Sequence, residues 1–121
     1  MPEHRSQEYH RRRLGEALRE EIETILEGEL ADPRIGLANV TEVHLAPDNK
    51  AAHVFVLVQG DEDDAVRTLE GLEAARGFVR RQVAERLRLR RPPELYFALD
   101  KSEQYGARIE KLLKRVNQKK A

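Results

Sequence analysis

Residues 38–59 read ANVTEVHLAPDNKAAHVFVLVQ and constrain the architecture more than any other segment. β-branched residues are frequent over 38–45, which predicts a strand, and Ala46-Pro47-Asp48-Asn49 carries the residue types that favour a turn. A second strand is predicted over 50–59. Its middle, 54–58, is apolar on both faces, as expected for a strand that is covered on both sides or central in a small sheet. The segment therefore predicts a β-hairpin.

A long helix is predicted before the hairpin. Apolar residues there recur at helical spacing, at Leu14, Leu18, Ile22, Ile25 and Leu26. This stripe predicts a helix from about residue 6 to Gly28. Asp32-Pro33 supports a stop at that point, because the residue before a proline disfavours helical dihedrals.

Further helices and a third strand are predicted after the hairpin. The acidic run 61–64 suits a helix N-terminus, where carboxylates cap free backbone amides. Gly77 interrupts the apolar pattern that follows, which predicts a break or kink between two helices. Pro92-Pro93 ends the second of them, 94–99 reads as a strand, and a last helix is predicted from Ser102 to about residue 116. The predicted order is α-β-β-α-α-β-α, a single α+β domain.

Length and composition restrict the class of protein. The chain has 121 residues, enough for one domain spanning 1–121, with short flexible termini expected at about 1–5 and 117–121. It has no cysteine, which excludes disulfides and thiolate-held metals. No apolar run is long enough to span a membrane, and the polar start lacks the apolar middle of a signal peptide. We expect a cytoplasmic protein with no membrane partner.

The net charge of zero conceals a segregation of charges along the chain. Lys and Arg number 22 and so do Asp and Glu, but the acidic residues concentrate in 16–29 and 61–64. Basic residues concentrate in 11–13, 76–91 and 108–120. A polyanion partner is therefore compatible with the neutral total.

Short motifs spread over residues 6–116 carry a family resemblance. They are Asp32-Pro33-Arg34, the run 61–66, Ala75-Arg76-Gly77-Phe78, the run 87–90, Pro93-Glu94-Leu95 and Asp100-Lys101-Ser102. In order and spacing they resemble the ribosome-binding factor A family. The order of elements before the last helix is also that of the bacterial type II KH domain, with helices on one face of a three-stranded sheet. The GxxG loop of ordinary KH domains is absent, and Ala75-Arg76-Gly77 resembles the kink that replaces it in this family.

The resemblance implies a function as well as a fold. It implies a factor that binds 16S rRNA in the immature 30S subunit near the decoding region, is released as the subunit matures, and assists late 30S assembly and rRNA processing. It also implies a role in growth at low temperature. The expected partners are the free 30S subunit and its 16S rRNA, and the protein is expected to be monomeric off the ribosome.

Arginines are the candidate RNA-binding residues, because the guanidinium pairs with phosphate oxygens and stacks on bases. On a helical wheel, Arg80, Arg81 and Arg88 lie mostly opposite Phe78, Val79, Val83 and Leu87. The leading set is Arg76, Gly77, Arg80, Arg81, Arg88, Arg90 and Arg91, and the secondary candidates are Arg11, Arg12, Arg13, Arg34 and the lysine-rich last helix. Arg86 falls toward the apolar side and is expected to be structural. The competing interpretation is a solvated helix face paired with the acidic first helix.

Enzymatic functions find little support in the sequence. His44 and His53 face each other across the predicted hairpin, but no third ligand accompanies them, so no metal site is predicted. Ser6 and Ser102 suit helix caps better than nucleophiles, and no phosphate-binding glycine motif is present. No catalytic residue and no cofactor are therefore predicted. Tyr96, Phe97 and Tyr105 are predicted to lie in the core and not to form a stacking platform for bases.

Two alternatives remain open at this point. One is a protein-interaction module whose acidic first helix or basic last helix docks a partner protein. The other is a general RNA-binding KH-like protein without ribosome specificity.

Overall fold

A computed structural model describes residues 2–101, and their side chains from residue 6 onward. The elements in chain order are α1 (Pro2–Gly28), β1 (Ala38–Leu45), β2 (Ala51–Val58), α2 (Glu62–Leu87) and β3 (Glu94–Leu99). The α+β fold is confirmed, and so are the three predicted strands. The helix predicted from Ser102 lies outside the described residues.

The three strands form one sheet in the order β1-β2-β3, so β2 is central. β1 and β2 pair antiparallel, and β2 and β3 pair parallel. The predicted turn between β1 and β2 is confirmed: the amide of Asn49 donates to the carbonyl of Ala46 at 2.9 Å, and Asn49 adopts a left-handed φ of 61°. A register shift at Thr41 turns β1 so that Val40 and Val43 both sit opposite inward-facing residues of β2.

The core lies between one face of the sheet and the two helices. α1 packs mainly on β1, and α2 packs on β3 and on α1. The fully buried side chains include Leu18, Ile22 and Ile25 from α1, Ala52, Val54, Val56 and Leu95 from the sheet, and Leu72, Val79 and Val83 from α2. The apolar stripe predicted for the first helix is thus the buried face of α1. Neither helix of the described part carries a stretch long and apolar enough to cross a membrane.

The predicted break between two helices at Gly77 is wrong, whereas the kink at 75–77, which was the other expectation for this region, stays a prediction. α2 runs without interruption from Glu62 to Leu87, with Gly77 in its interior. The physical reason is that Leu72, Val79 and Val83 form one continuous buried stripe on the opposite side of the helix from the exposed Gly77. A glycine inside a helix costs only about 0.5–1 kcal/mol relative to alanine, which this burial outweighs.

Both ends of α2 are capped by side chain or backbone. Asp61 is the N-cap and forms a capping box with Asp64, as the acidic run predicted. At the other end Arg88 is the C-cap, in a left-handed conformation with φ 54°. The amide of Leu89 donates to the carbonyl of Ala84 at 2.9 Å and closes the last turn. The loop that follows therefore leaves the helix at a defined angle and leads to β3.

Candidate nucleic-acid interface

Basic side chains from three parts of the chain converge at one end of the molecule. The turn after β1 and the loop before β3 border a hollow of about 550 Å³. Four cations line this hollow, together with two carboxylates, Asp48 and Glu94. The cations are Lys50, Arg80, Arg90 and Arg91. We call this cluster of four cations the basic end.

Arg80 is held by the backbone of the loop before β3. Its Nη2 donates to the carbonyl of Pro92 at 2.8 Å, and its Nε donates to the carbonyl of Pro93 at 3.2 Å. Its Nη1 lies 3.3 Å from a carboxylate oxygen of Glu94. With these donors engaged, Arg80 acts mainly by fixing the loop that carries Arg90 and Arg91. Those two arginines are exposed and project from that loop.

The first helix reaches the same end through Arg11. Its Nη2 donates to the carbonyl of Pro47 in the turn after β1 at 3.2 Å, while its buried Nε finds no hydrogen-bond partner among the described residues. This bond places the N-terminal part of α1 beside the basic end. Arg12 and Arg13 are exposed there, and the Arg13 guanidinium lies 5.8 Å from the ring centre of Tyr9.

Arg34 is not brought to the basic end. It lies near Gln59 and Asp64, beyond the far end of β2. β2 has eight residues, so at about 3.3 Å per residue this site is roughly 25 Å from the turn before it. Arg34 also forms an ion pair with Asp32 at 2.7 Å. The hydrogen bond from Arg34 lowers the pKa of the Asp32 carboxyl, and the same bond raises the pKa of Arg34.

The remaining candidates of the second helix differ in their surroundings. Arg81 and Arg88 are exposed. Gly77 is exposed, and a Cβ atom placed on it would meet no atom of the described residues within 4 Å. Ala75 is half-buried against the core. Arg76 lies 3.4 Å from Glu73, with its guanidinium 5.8 Å from the ring centre of Tyr96.

Arg86 is structural, as predicted. Its guanidinium contacts Glu21 at 3.5 Å and hydrogen-bonds to Glu29, which joins α2 to α1. The hydrogen bond to Glu29 raises the pKa of Arg86. A third acidic residue of the segment 16–29, Glu23, accepts a hydrogen bond from the amide of Val40. Three of the six acidic residues of this segment are therefore engaged within the fold.

The sheet face that points away from the helices carries ring side chains that the sequence interpretation missed. Tyr96 is 44% exposed, so its predicted place in the core is wrong, whereas Phe97 is buried as predicted. The ring of Tyr96 stacks on that of His53, with centroids 5.6 Å apart and planes 28° apart. The alternation of buried Leu95, exposed Tyr96 and buried Phe97 is the signal that should have placed Tyr96 outward.

His44 and His53 are cross-strand partners, as the predicted hairpin required. The two histidines make separate contacts and do not act together as ligands of a metal ion. His44 binds a carboxylate oxygen of Glu42 at 2.8 Å and packs edge-on against Phe55, whereas His53 stacks on Tyr96. Within residues 2–101 no group of three or more histidines and carboxylates is arranged to hold a metal ion.

Comparison with known proteins assigns the chain to a family. Residues 10–113 match the family model described as ribosome-binding factor A. The ribosome-binding factor A of Koribacter versatilis (strain Ellin345) is 60% identical over 118 residues, which cover 98% of this chain and 96% of that protein. The chain belongs to the ribosome-binding factor A family.

Solved structures of ribosome-binding factor A share the fold. The solution structure of a Thermotoga maritima protein described as a putative ribosome binding factor A is 30% identical, with a TM-score of 0.69 over 78% of this chain and 90% of that one. A second neighbour is a homology model of Thermus thermophilus ribosome binding factor A fitted into the cryo-EM map of a 30S complex. It is 33% identical, with a TM-score of 0.56 over 76% of this chain and 92% of that one.

Proposed function

We propose that this protein binds the small ribosomal subunit through 16S rRNA and assists its late assembly and rRNA processing. The observation that carries the proposal is the basic end, where Arg90 and Arg91 project from a loop that Arg80 fixes in place. The hollow is lined by four cations and two carboxylates, so a chain that is neutral as a whole has an excess of positive charge there, which suits phosphates. The Thermus thermophilus neighbour, which is described in a 30S complex, supports the same partner.

The mechanism is occupancy. The protein holds one conformation of the rRNA and leaves when its site is remodelled, so no bond is made or broken and no cofactor is needed. It works in the cytoplasm, as a monomer when it is off the ribosome, and its contribution is largest in the cold, where misfolded rRNA escapes slowly. Contacts from Arg90 and Arg91 to phosphates position the protein without reading sequence.

A protein partner docked on α1 is less well supported. Glu21, Glu23 and Glu29 are engaged with Arg86 and with the amide of Val40, so three of the six acidic residues between 16 and 29 serve the fold. Within residues 2–101, Arg90 and Arg91 have no comparable partners. Arg80 is hydrogen-bonded to the loop before β3, whereas Arg90 and Arg91 are exposed.

The test is sedimentation of cell extract through a sucrose gradient at moderate salt, with the protein followed across the free 30S, 70S and soluble fractions. The expected result is comigration with free 30S particles and absence from 70S ribosomes. A protein found only at the top of the gradient, even at low salt, would overturn the proposal.

A further inference from the structure

The open face of the sheet bears a short stack of planar groups. Arg76, Tyr96 and His53 follow one another, with the guanidinium 5.8 Å and the imidazole 5.6 Å from the tyrosine ring centre. Tyr96 and His53 are paired residues of adjacent strands, and the Arg76 guanidinium, which comes from α2, lies over the ring of Tyr96 on the edge strand β3. Both rings are exposed, although aromatic side chains in a small domain are normally covered.

This stack adjoins the basic end. Glu94, which lines the hollow, and Tyr96 alternate outward on the same strand, two residues apart. Their separation is about 7 Å at 3.3 Å per residue, roughly the rise of two stacked nucleotides. The stack therefore begins two strand residues from the position of β3 that lines the hollow of the basic end.

Two carboxylates near this surface are paired with arginines. A carboxylate oxygen of Glu94 lies 3.3 Å from Arg80, and one of Glu73 lies 3.4 Å from Arg76. They therefore offset little of the attraction that Arg90 and Arg91 exert on phosphates. A base is also a better match than an apolar protein segment, because two of the three stacked groups are polar and all three are planar.

We propose that the stack of Arg76, Tyr96 and His53 takes up one unpaired base of an RNA strand whose adjacent phosphates are bound at the basic end. This inference rests on the proposed function and makes it more specific: the target is a single-stranded segment of the rRNA, not only a duplex backbone. Stacking tolerates any base, so the surface selects for an unpaired nucleotide and not for a sequence.

The test uses a single-stranded decamer of RNA with 2-aminopurine at its centre and abasic sites at its other nine positions, and a matched decamer that is abasic throughout. Stacking of 2-aminopurine on the protein quenches its fluorescence. The variants are Tyr96→Val, which removes the ring but keeps a residue that favours strands, and Tyr96→Phe, which keeps the ring. His53→Ala removes the stacking partner and gives a second route if Tyr96→Val does not fold, which circular dichroism would show.

The wild type is expected to quench the 2-aminopurine probe. Tyr96→Val is expected to weaken its binding by roughly 5- to 150-fold, the range found when one stacking aromatic is removed, and Tyr96→Phe is expected to bind like the wild type. On the abasic probe, wild type and Tyr96→Val should bind equally. Quenching and affinity unchanged in Tyr96→Val and His53→Ala would overturn the proposal, as would a wild type that does not quench the probe at low salt.

Sedimentation with purified 30S subunits separates this failure from a failure of the proposed function. If wild type and Tyr96→Val both bind 30S and neither responds to the base, the stack has no role in binding RNA and the ribosomal function stands. If the wild type itself does not sediment with 30S, the ribosomal function is wrong. A third outcome is that Tyr96→Val loses 30S binding although it binds the 2-aminopurine probe and the abasic probe with equal affinity, as the wild type does. That result would assign the stack to a protein of the subunit and would also overturn the proposal.

Discussion

The two faces of the sheet are built from the same three strands and have opposite properties. The face toward the helices consists of residues such as Val54, Val56 and Leu95, which have no exposed surface. The other face presents His44, His53 and Tyr96, all of them exposed. Because successive residues of a strand point to opposite sides, one segment can stabilise the domain and offer a binding surface at the same time. Neighbouring residues should therefore respond very differently to substitution.

Leu95 and Tyr96 give the largest expected contrast. Leu95→Ala removes a fully buried side chain and should lower the free energy of unfolding by about 2–5 kcal/mol. Tyr96→Val should change it by less than about 1 kcal/mol, because the ring is 44% exposed and valine suits a strand. Urea denaturation of both variants measures the difference. Equal destabilisation by the two substitutions would contradict the assignment of Tyr96 to the open face.

Two glycines of α2 allow a similar comparison within a helix, because Gly71 is buried and Gly77 is exposed. A Cβ on Gly71 would lie 2.6 Å from Cγ1 of Ile35, so Gly71→Ala should be destabilising, with overpacking of this kind costing about 1–3 kcal/mol. Gly77→Ala meets no atom of the described part of the chain within 4 Å and should instead stabilise the protein by about 0.5–1 kcal/mol, because alanine favours the helix. Thermal unfolding of the two variants shows whether each substitution raises or lowers stability. A loss of stability in Gly77→Ala would show that the backbone there needs glycine after all.

The basic end should account for the salt dependence of binding. Each phosphate contact removed should reduce the slope of log affinity against log salt by about 1, so Arg90→Ala and Arg91→Ala should each flatten the slope. Arg34→Ala is the matched control, because that arginine lies at the other end of the sheet in an ion pair with Asp32. Affinity for a short RNA, measured at several salt concentrations, provides the slopes. An equal loss of slope in Arg34→Ala would place part of the interface there.

The smallest expected effect concerns the start of α2 and depends on pH. The amide of Asp64 donates to the Asp61 carboxylate and lowers the pKa of Asp61 below its usual value of 3.8. The folded state thus favours the charged form, so the stabilisation is complete above pH 3.8 and is lost as the pH falls through the lowered pKa. Asp61→Asn caps the helix comparably without titrating, so wild type and variant should diverge only in acid. Divergence near neutral pH would contradict this account.

The sequence predicted the strands, the hairpin turn and the Asp61 cap because each depends on local chemistry. Alternation, β-branching and turn residues act within a few positions, and the structure follows them at 38–58. The break predicted at Gly77 was wrong because a glycine within a helical pattern indicates a break only where the buried apolar stripe also ends. Here the stripe continues through Val79 and Val83.

The candidate site was harder to predict from the sequence, because it is formed by residues that are far apart along the chain. Nothing local shows that Arg80 is occupied by the carbonyls of Pro92 and Pro93, or that Lys50 joins Arg90 and Arg91 around one hollow. Tyr96 is different. Its position between two inward residues of a predicted strand was sufficient to place it outward.

Sedimentation of purified 30S subunits with charge-reversed variants tests the central claim most directly. Arg90→Glu with Arg91→Glu reverses the exposed part of the basic end, and Glu20→Lys with Glu27→Lys reverses exposed residues of α1 as a matched control. The account predicts that wild type and the α1 variant sediment with 30S at moderate salt and that the basic-end variant stays at the top of the gradient. Sedimentation of the basic-end variant with 30S, and loss of the α1 variant, would contradict it.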